Sequence, residues 1–286
     1  MGHAIGSVLS RHENIRVITN VVGRSPRTVD LAKKAGMITV NSYTELIEQV
    51  DVLLSILVPS QAIKLAKQIQ QAIKPDSKFI YADLNAVSPS TVKQMEQLFD
   101  KYPNIQFVDG GILGGPPDLN GKTPKIYLSG EHAQQLEFLR DYGLDIRVIG
   151  NEVGQASGLK MCYAATLKGF TAIAIQASVT SKMLGLGEVL FNELKDSQPY
   201  VFKRMQSGIP DMAPKAYRWV GEMEEIASTF ESMGLSPKIF QGAADTYRFV
   251  ADQTPLGKEI VEDRKLGKTL GDAVDIMAQS LAGKKP

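Results

Sequence analysis

Residues 52–82, VLLSILVPSQAIKLAKQIQQAIKPDSKFIYA, give the clearest indication of the fold class. It holds a strand-length apolar run, Val52 to Val58, then a helical segment, Ser60 to Ile73, and a second apolar run, Phe79 to Ala82. The apolar residues on one face of the helical segment are Ile63, Ala66, Ile69 and Ile73. This alternation of strand and helix predicts parallel strands covered by helices, because both faces of such strands are buried.

The same alternation extends from the N-terminus to about residue 150. Four further strand-length runs are Ile15 to Val22, Ile105 to Val108, Ile126 to Leu128 and Ile146 to Ile149. Two further helical segments, Pro26 to Ala35 and Pro89 to Tyr102, begin at Ser-Pro pairs. Residues 1–150 are therefore predicted to form an α/β domain whose parallel sheet carries helices on both faces.

Beyond Gly154 the pattern becomes all-helical, so a second domain over residues 151–286 is expected. Its first helix, Gln155 to Leu184, spans some eight turns without proline. Further helical segments are Ala216 to Met233, Ile239 to Ala251 and Leu270 to Ala282. The first helix is rich in small residues, which fit either buried packing or a dimer contact.

Composition narrows the function classes. The 286 residues include 32 Lys and Arg against 31 Asp and Glu, so no basic surface for nucleic acid is indicated. His3, His12 and His132 are far apart, so no metal site is predicted. The apolar stretch Gly169 to Val179 is too short to span a membrane. With one cysteine, Cys162, and no signal-peptide pattern, a cytoplasmic location is expected.

The N-terminus carries part of a dinucleotide-binding pattern. Such folds place a GxGxxG turn after the first strand, and Gly2 and Gly6 resemble only its end. The first strand is missing from this pattern, so an upstream start is favoured over a defective or repurposed relative. Arg24 lies 22 positions past Gly2 and is followed by Ser25. In dinucleotide-binding folds, residues at this position contact the adenosine ribose. Arg with Ser suits a 2′-phosphate, which predicts NADP; incidental surface residues at a helix start are the alternative.

Four motifs then occur in a characteristic order: ADLNAVSP at 82–89, FVDGGILGGPP at 107–117, GQASGLKM at 154–161 and AADTYRFV at 243–250. With them the chain resembles the β-hydroxyacid dehydrogenase superfamily, which includes 3-hydroxyisobutyrate and 6-phosphogluconate dehydrogenases. The likeness is to the subgroup whose helical C-terminal domain has no known function. It implies a Rossmann-like NADP domain, a helical substrate and dimerisation domain, and a homodimer.

The resemblance also assigns roles to individual residues. Lys160 matches the lysine that assists proton transfer at the substrate hydroxyl, and a buried lysine can exchange a proton near neutral pH. An ordinary surface lysine is the alternative, and Lys168 is the control. Gly114 and Gly115 match a turn that binds the substrate anion, although a tight turn alone also explains them.

Further matches concern the cofactor and the helical domain. Asn85 matches the segment beside the nicotinamide, with capping of the following helix as its alternative. Val58 and Pro59 match a cofactor-lining loop, or serve core packing. In the helical domain, Tyr163 is a candidate for substrate orientation or proton transfer, with packing within the helices as its alternative. Asp245 matches a stretch near the active site.

The chain departs from the family at positions that touch substrate. Ala164 replaces an asparagine and Leu113 replaces a serine, which argues against 3-hydroxyisobutyrate and 6-phosphogluconate as substrates. The leading hypothesis is an NADP-dependent oxidoreductase that transfers hydride between nicotinamide and a small hydroxy acid or related carbonyl compound. A non-catalytic NADP-binding dimeric scaffold and an imine reductase are the alternatives.

Overall fold

A computed structural model describes residues 1–117 and 123–283. The chain divides into two compact units, the first reaching Met161 and the second starting at Cys162. The boundary expected near residue 150 thus lies one helical segment earlier than this division. The segment from Gln155 to Met161 belongs to the first unit because it packs on that unit's sheet, as described below.

In its described residues the first unit contains seven strands: β1 Ile18–Asn20, β2 Ile38–Val40, β3 Val52–Ser55, β4 Phe79–Asp83, β5 Ile105–Leu113, β6 Lys125–Ser129 and β7 Asp145–Gly150. Strands β3 to β7 form one sheet in chain order. All neighbouring pairs in it are parallel except β5 and β6, which are antiparallel. The prediction of a parallel sheet is therefore wrong for the pair β5 and β6. Residues 114–124 are too few for the helical crossover that a parallel pair requires.

Strands β1 and β2 form a separate parallel pair. Side chains of β1 and of Val17, the residue just before it, nevertheless enter the two cores that cover the larger sheet. Val17 and Leu54 pack in one core, whereas Ile18 and Leu53 pack in the other. Because side chains alternate between faces along a strand, β1 and β3 share both faces, yet in the described residues β1 pairs with β2 alone. The strands thus form two sheets, with no hydrogen-bonded pairing between β1 and β3 in the described residues.

Helices cover both faces of the sheet, as the sequence predicts. The helices of this unit are α1 Gly2–Leu9, α2 Pro26–Lys34, α3 Tyr43–Ile47, α4 Ala62–Ala72, α5 Pro89–Gln97 and the first part of α6 Gln155–Ala164. Helix α1 packs on one core, and α4 and α5 pack on the other. Ser25 and Ser88 cap α2 and α5 by accepting bonds from Thr28 N and Thr91 N, which fixes where these helices begin.

The second unit is all-helical. It contains α7 Phe170–Met183, α8 Gly187–Ser197, α9 Pro199–Met212, α10 Ala216–Ser232, α11 Lys238–Gln253 and α12 Leu270–Ala282. The long helix predicted from Gln155 to Leu184 is present, with one π-helical turn, Ala165–Gly169, between α6 and α7. Within the described parts of the chain, no helix combines the length and apolar character that crossing a bilayer demands.

Candidate active site

Asn85 organises the edge of the sheet where strands β3 and β4 end. Its Oδ1 accepts a bond from Leu57 N at 2.6 Å, and its Nδ2 donates to Ser55 Oγ at 2.8 Å and to Asp83 Oδ1 at 2.6 Å. The side chain is 2% exposed, so these bonds are not shared with bulk water. Asn85 therefore links the loop after β3 to the end of β4. It does not cap α5, because Ser88 does so.

Helix α1 begins at this same edge. A Cβ atom on Gly2 would lie 3.6 Å from the carbonyl oxygen of Ile56, two residues before Val58. Pro59 follows and opens a 3-10 turn. The structure thus brings the start of α1 to the loop that Asn85 holds. A helix start beside the carboxyl ends of parallel strands is the usual place for a dinucleotide phosphate.

Arg24 and Ser25 follow β1, and both are exposed. Gly23 before them has a φ of 72°, a left-handed conformation that glycine adopts without strain. Ser25 Oγ accepts a bond from Thr28 N at 3.3 Å, so capping of α2 accounts for this serine without a ligand. A role for Arg24 and Ser25 at a 2′-phosphate therefore stays a prediction.

Lys160 lies on α6, which rests on strand β5. Its Nζ donates to the carbonyl oxygen of Ile112 at 2.7 Å. The close approach depends on Gly111, where an added Cβ would lie 2.9 Å from Lys160 Cβ and 3.0 Å from Ala156 O. No side chain fits at that distance. The ammonium is therefore held at the carboxyl end of β5, just before Gly114.

Gly114 and Gly115 differ in whether the backbone conformation requires a glycine. Gly114 has a φ of 119°, which favours glycine, whereas a Cβ on Gly115 would meet nothing within 4 Å. The turn therefore explains Gly114, and binding of a substrate anion by the pair stays a prediction. Gly110 was not expected to matter, but its Cβ would lie 2.9 Å from Leu128 Cδ2. Gly110 and Gly111 thus allow close packing on opposite faces of β5.

Asp83 is a fully buried carboxylate beside Asn85. Burial raises the pKa of Asp83 to about 7, although hydrogen bonds from Asn85 act in the opposite direction. Sequence reasoning missed this residue, since an aspartate at the end of a strand carries no distinctive signal. Its partner in the strand register is Asp109, which contributes to the rise.

We expect Asp83 to make stability depend on pH. Between its ordinary pKa of 3.8 and about 7, the folded protein retains a proton that the unfolded chain has released, so stability falls as pH rises. Asp83→Asn removes this titration. Chemical denaturation should show the stability of the wild type falling relative to the variant by about 2–3 kcal/mol from pH 5 to pH 8. A difference that does not change with pH would contradict the shifted pKa.

Two predicted substrate residues lie in the second unit. Tyr163 follows Lys160 by three positions on α6 and is 42% exposed. Asp245 lies on α11 and pairs with Arg248, which also pairs with Glu224. Their contact with a substrate stays a prediction.

Lys168, which the sequence analysis names as the control for Lys160, is largely buried. It lies on the π-helical turn and pairs with Glu222, with side chains 14% and 10% exposed. Its Nζ also lies 4.6 Å from the ring centre of Trp219. A substitution there changes packing and buried charge together, so Lys168 cannot serve as a neutral control.

Metal ligands do not gather at the carboxyl edge. Across the two described ranges, no three His, Cys, Asp or Glu side chains are placed so that they could hold a metal ion. The residues at this edge are instead a cationic donor, Lys160, an amide with fixed hydrogen bonds, Asn85, and the start of helix α1.

Known proteins resemble the chain at two levels. Residues 182–250 match a domain of unknown function, DUF1932. An uncharacterized 28.5 kDa protein in the 7S RNA 5′ region of Methanothermus fervidus is 29% identical over 251 residues, which cover 87% of this chain and 96% of the relative.

Solved structures share the fold. A conserved protein of unknown function, described as similar to 3-hydroxyacid dehydrogenases, is 26% identical with a TM-score of 0.61, covering 87% of this chain and 93% of that one. The 3-hydroxyisobutyrate dehydrogenase of Mycobacterium tuberculosis is 16% identical with a TM-score of 0.62, covering 88% and 91%. A reductive aminase from Aspergillus terreus in complex with NADPH is 15% identical with a TM-score of 0.57, covering 87% and 90%.

These matches agree with the resemblance seen in the sequence motifs. They cover both the α/β unit and the helical unit, and the family match lies within the helical one. The chain has the two-domain fold of the 3-hydroxyisobutyrate dehydrogenase-like proteins, with a DUF1932 region in its helical part.

Proposed function

We propose that the protein is an NADP-dependent oxidoreductase of the β-hydroxyacid dehydrogenase type. The observation that carries the proposal is the placement of Lys160 Nζ on the carbonyl of Ile112, at the carboxyl end of β5. In a sheet of this kind ligands bind outside the carboxyl ends of the strands. Structural neighbours include dehydrogenases and an aminase that was solved with NADPH.

The residues present fit a dinucleotide. Gly2 starts α1 beside Ile56, and the backbone N–H groups at a helix start suit an anionic group. Val58 and Pro59 would line the cofactor, and Asn85 fixes their loop through Leu57 N. When bound, the nicotinamide supplies or accepts the hydride.

Lys160 would handle the proton in this reaction. Oxidation of a hydroxyl group releases one proton from the oxygen and one hydride from the adjacent carbon, and reduction reverses both transfers. The bond to Ile112 is compatible with a second bond to a substrate oxygen, because an ammonium carries three donors. Gly114 and Gly115 would receive the substrate anion, and roles for Tyr163 and Asp245 in substrate binding stay predictions of the sequence.

A panel of substrates tests the activity. We expect NADPH to be consumed with a small keto acid or aldehyde acid, and NADP to be reduced with the matching hydroxy acid. Reduction of cyclic imines without hydroxy-acid oxidation would instead select the imine reductase, which the aminase neighbour favours. Binding of NADPH without turnover on either panel would select the non-catalytic scaffold.

We expect Arg24 to set the preference for NADP. Arg24→Ala should weaken NADPH binding by about tenfold to a hundredfold, the effect of losing a charge-assisted hydrogen bond. Affinity for NADH should not change, because NADH lacks the 2′-phosphate. Arg147→Ala on β7 is the matched control, since that arginine pairs with Asp145. Equal losses for both cofactors would contradict a phosphate-specific role.

A homodimer through the helical unit, in the cytoplasm, is part of the proposal. Large apolar side chains on and after α7 are exposed, and they are Ile173, Met183, Leu184, Leu186 and Val189. Exposed apolar side chains that cluster usually mark an interaction site, and four of the five lie between residues 183 and 189. Light scattering after gel filtration should give the mass of a dimer for the wild type and of a monomer for Ile173→Asp. A wild-type monomer at high concentration would exclude the dimer.

A further inference from the structure

The first turn of α6 is bonded to strand β5 through one carboxylate, that of Asp109. Its Oδ2 accepts bonds from Gly154 N at 2.8 Å and Ser157 N at 3.0 Å, and its Oδ1 accepts from Ser157 Oγ at 2.5 Å. Ser129 Oγ donates to the same Oδ2 at 3.0 Å and accepts from Ala156 N at 2.9 Å. Asp109 thus accepts bonds from two backbone N–H groups at the start of the helix, and Ser129, which is bonded to Asp109, accepts from a third.

The hydrogen bonds between Asp109 and α6 are buried, and the charge of the carboxylate complements that of the helix start. Asp109, Ser129 and Ser157 are all 0% exposed, so water does not compete for these bonds. A negative charge at a helix start is stabilised by the partial positive charge of the unpaired N–H groups there. Bonds to two successive parts of the helix start, together with the Ser157 hydroxyl, fix the rotation of α6 as well as its position.

The same strand then contacts α6 at the lysine. Two residues after Asp109, Gly111 allows the backbone of β5 to approach Lys160 Cβ. One residue later, the carbonyl of Ile112 accepts the bond from Lys160 Nζ. Ser157 precedes Lys160 by nearly one helical turn, so a change at the Asp109 bonds would move the lysine relative to the strand.

We propose that Asp109 is the positioning residue for Lys160. It acts through α6, holding the helix in the one rotation that places Nζ at the end of β5. The inference rests on the proposed role of Lys160 in proton transfer, where misplacement by about 1 Å costs about a hundredfold in rate. Asp109 itself touches neither substrate nor cofactor in this account.

The test compares Asp109→Asn and Ser157→Ala with the wild type. Asparagine keeps the volume but exchanges one acceptor oxygen for a donor, and alanine removes only the Ser157 hydroxyl bond. Thr269→Ala is the matched control, because it removes the cap that accepts from Asp272 N at the start of α12. The control should lower Tm without affecting Lys160.

Two readouts separate positioning from general stability. In the first, kcat should fall about tenfold to a hundredfold in Asp109→Asn, and less in Ser157→Ala, with the Kd for NADPH unchanged. In the second, acetic anhydride labels lysines in the folded protein, and mass spectrometry follows Lys160. Its labelling rate should rise several-fold in both variants, whereas the rates of exposed lysines such as Lys182 should stay constant.

The second readout requires no substrate, so it remains decisive if the proposed activity fails. Unchanged labelling of Lys160 in both variants would overturn the positioning role, whatever happens to turnover. A loss of kcat in Thr269→Ala equal to that in Asp109→Asn would also overturn it, because the effect would then follow stability. If Asp109→Asn does not fold, Ser157→Ala decides the question by the same two measurements.

Discussion

Lys160→Ala is expected to lower kcat by about a hundredfold to ten-thousandfold, the range for loss of a general acid or base. The affinity for NADPH should remain within about twofold, because the residues proposed to hold the cofactor lie at α1, the loop after β3 and Asn85. The reason is geometric. Lys160 Nζ is the cationic donor that the structure fixes at the carboxyl end of β5, through Ile112.

Steady-state kinetics on the substrate found in the panel would measure this effect. Lys182→Ala is the matched control, because Lys182 lies further along the same helical run and forms an exposed pair with Asp275. Turnover by Lys160→Ala within a few-fold of the wild type would show that another group transfers the proton.

Lys168→Ala is expected to cost about 3–5 kcal/mol of unfolding free energy, the typical penalty for removing one partner of a buried ion pair. Glu222 would keep its charge in a site where its side chain is 10% exposed. The ring of Trp219 would also lose the cation above it. Urea unfolding should therefore show a lower midpoint, or a separate early transition of the second unit.

The double variant Lys168→Met with Glu222→Gln should be much less destabilised than Lys168→Ala, because no buried charge is then left alone. Lys182→Ala again serves as the control, with an expected cost below about 1 kcal/mol for an exposed pair. If Lys168→Ala and Lys182→Ala cost the same, the pair with Glu222 is not buried in solution.

Sequence periodicity was enough to predict the layered architecture. Apolar runs such as Phe79 to Ala82 became buried strands, and the apolar face of Ser60 to Ile73 packs in one core. Strand β2 was missed because it has only three residues, two of which are exposed. Helix α9 was missed because Pro199 begins it and Pro210 interrupts it, which disrupts the usual helical signal.

The candidate site was predictable only in part. The motifs identified Lys160, and its bond to Ile112 gives that choice a structural reason. Asp83 and Asp109 stand in the quoted motifs without a visible role, because their importance comes from burial and from partners up to 48 positions away. Lys168 was chosen only as a control for Lys160, because its partner Glu222 lies 54 positions away in the sequence. Contacts between residues so far apart in the sequence cannot be predicted from the spacing of motifs.

The most direct test of the account is a fluorescence titration of the 286-residue chain with NADPH, with NADH in parallel. We expect saturable binding with NADPH preferred, and loss of that preference in Arg24→Ala. Absence of binding to either cofactor, in a preparation shown to be folded, would contradict the proposal that this protein is a nicotinamide-dependent oxidoreductase.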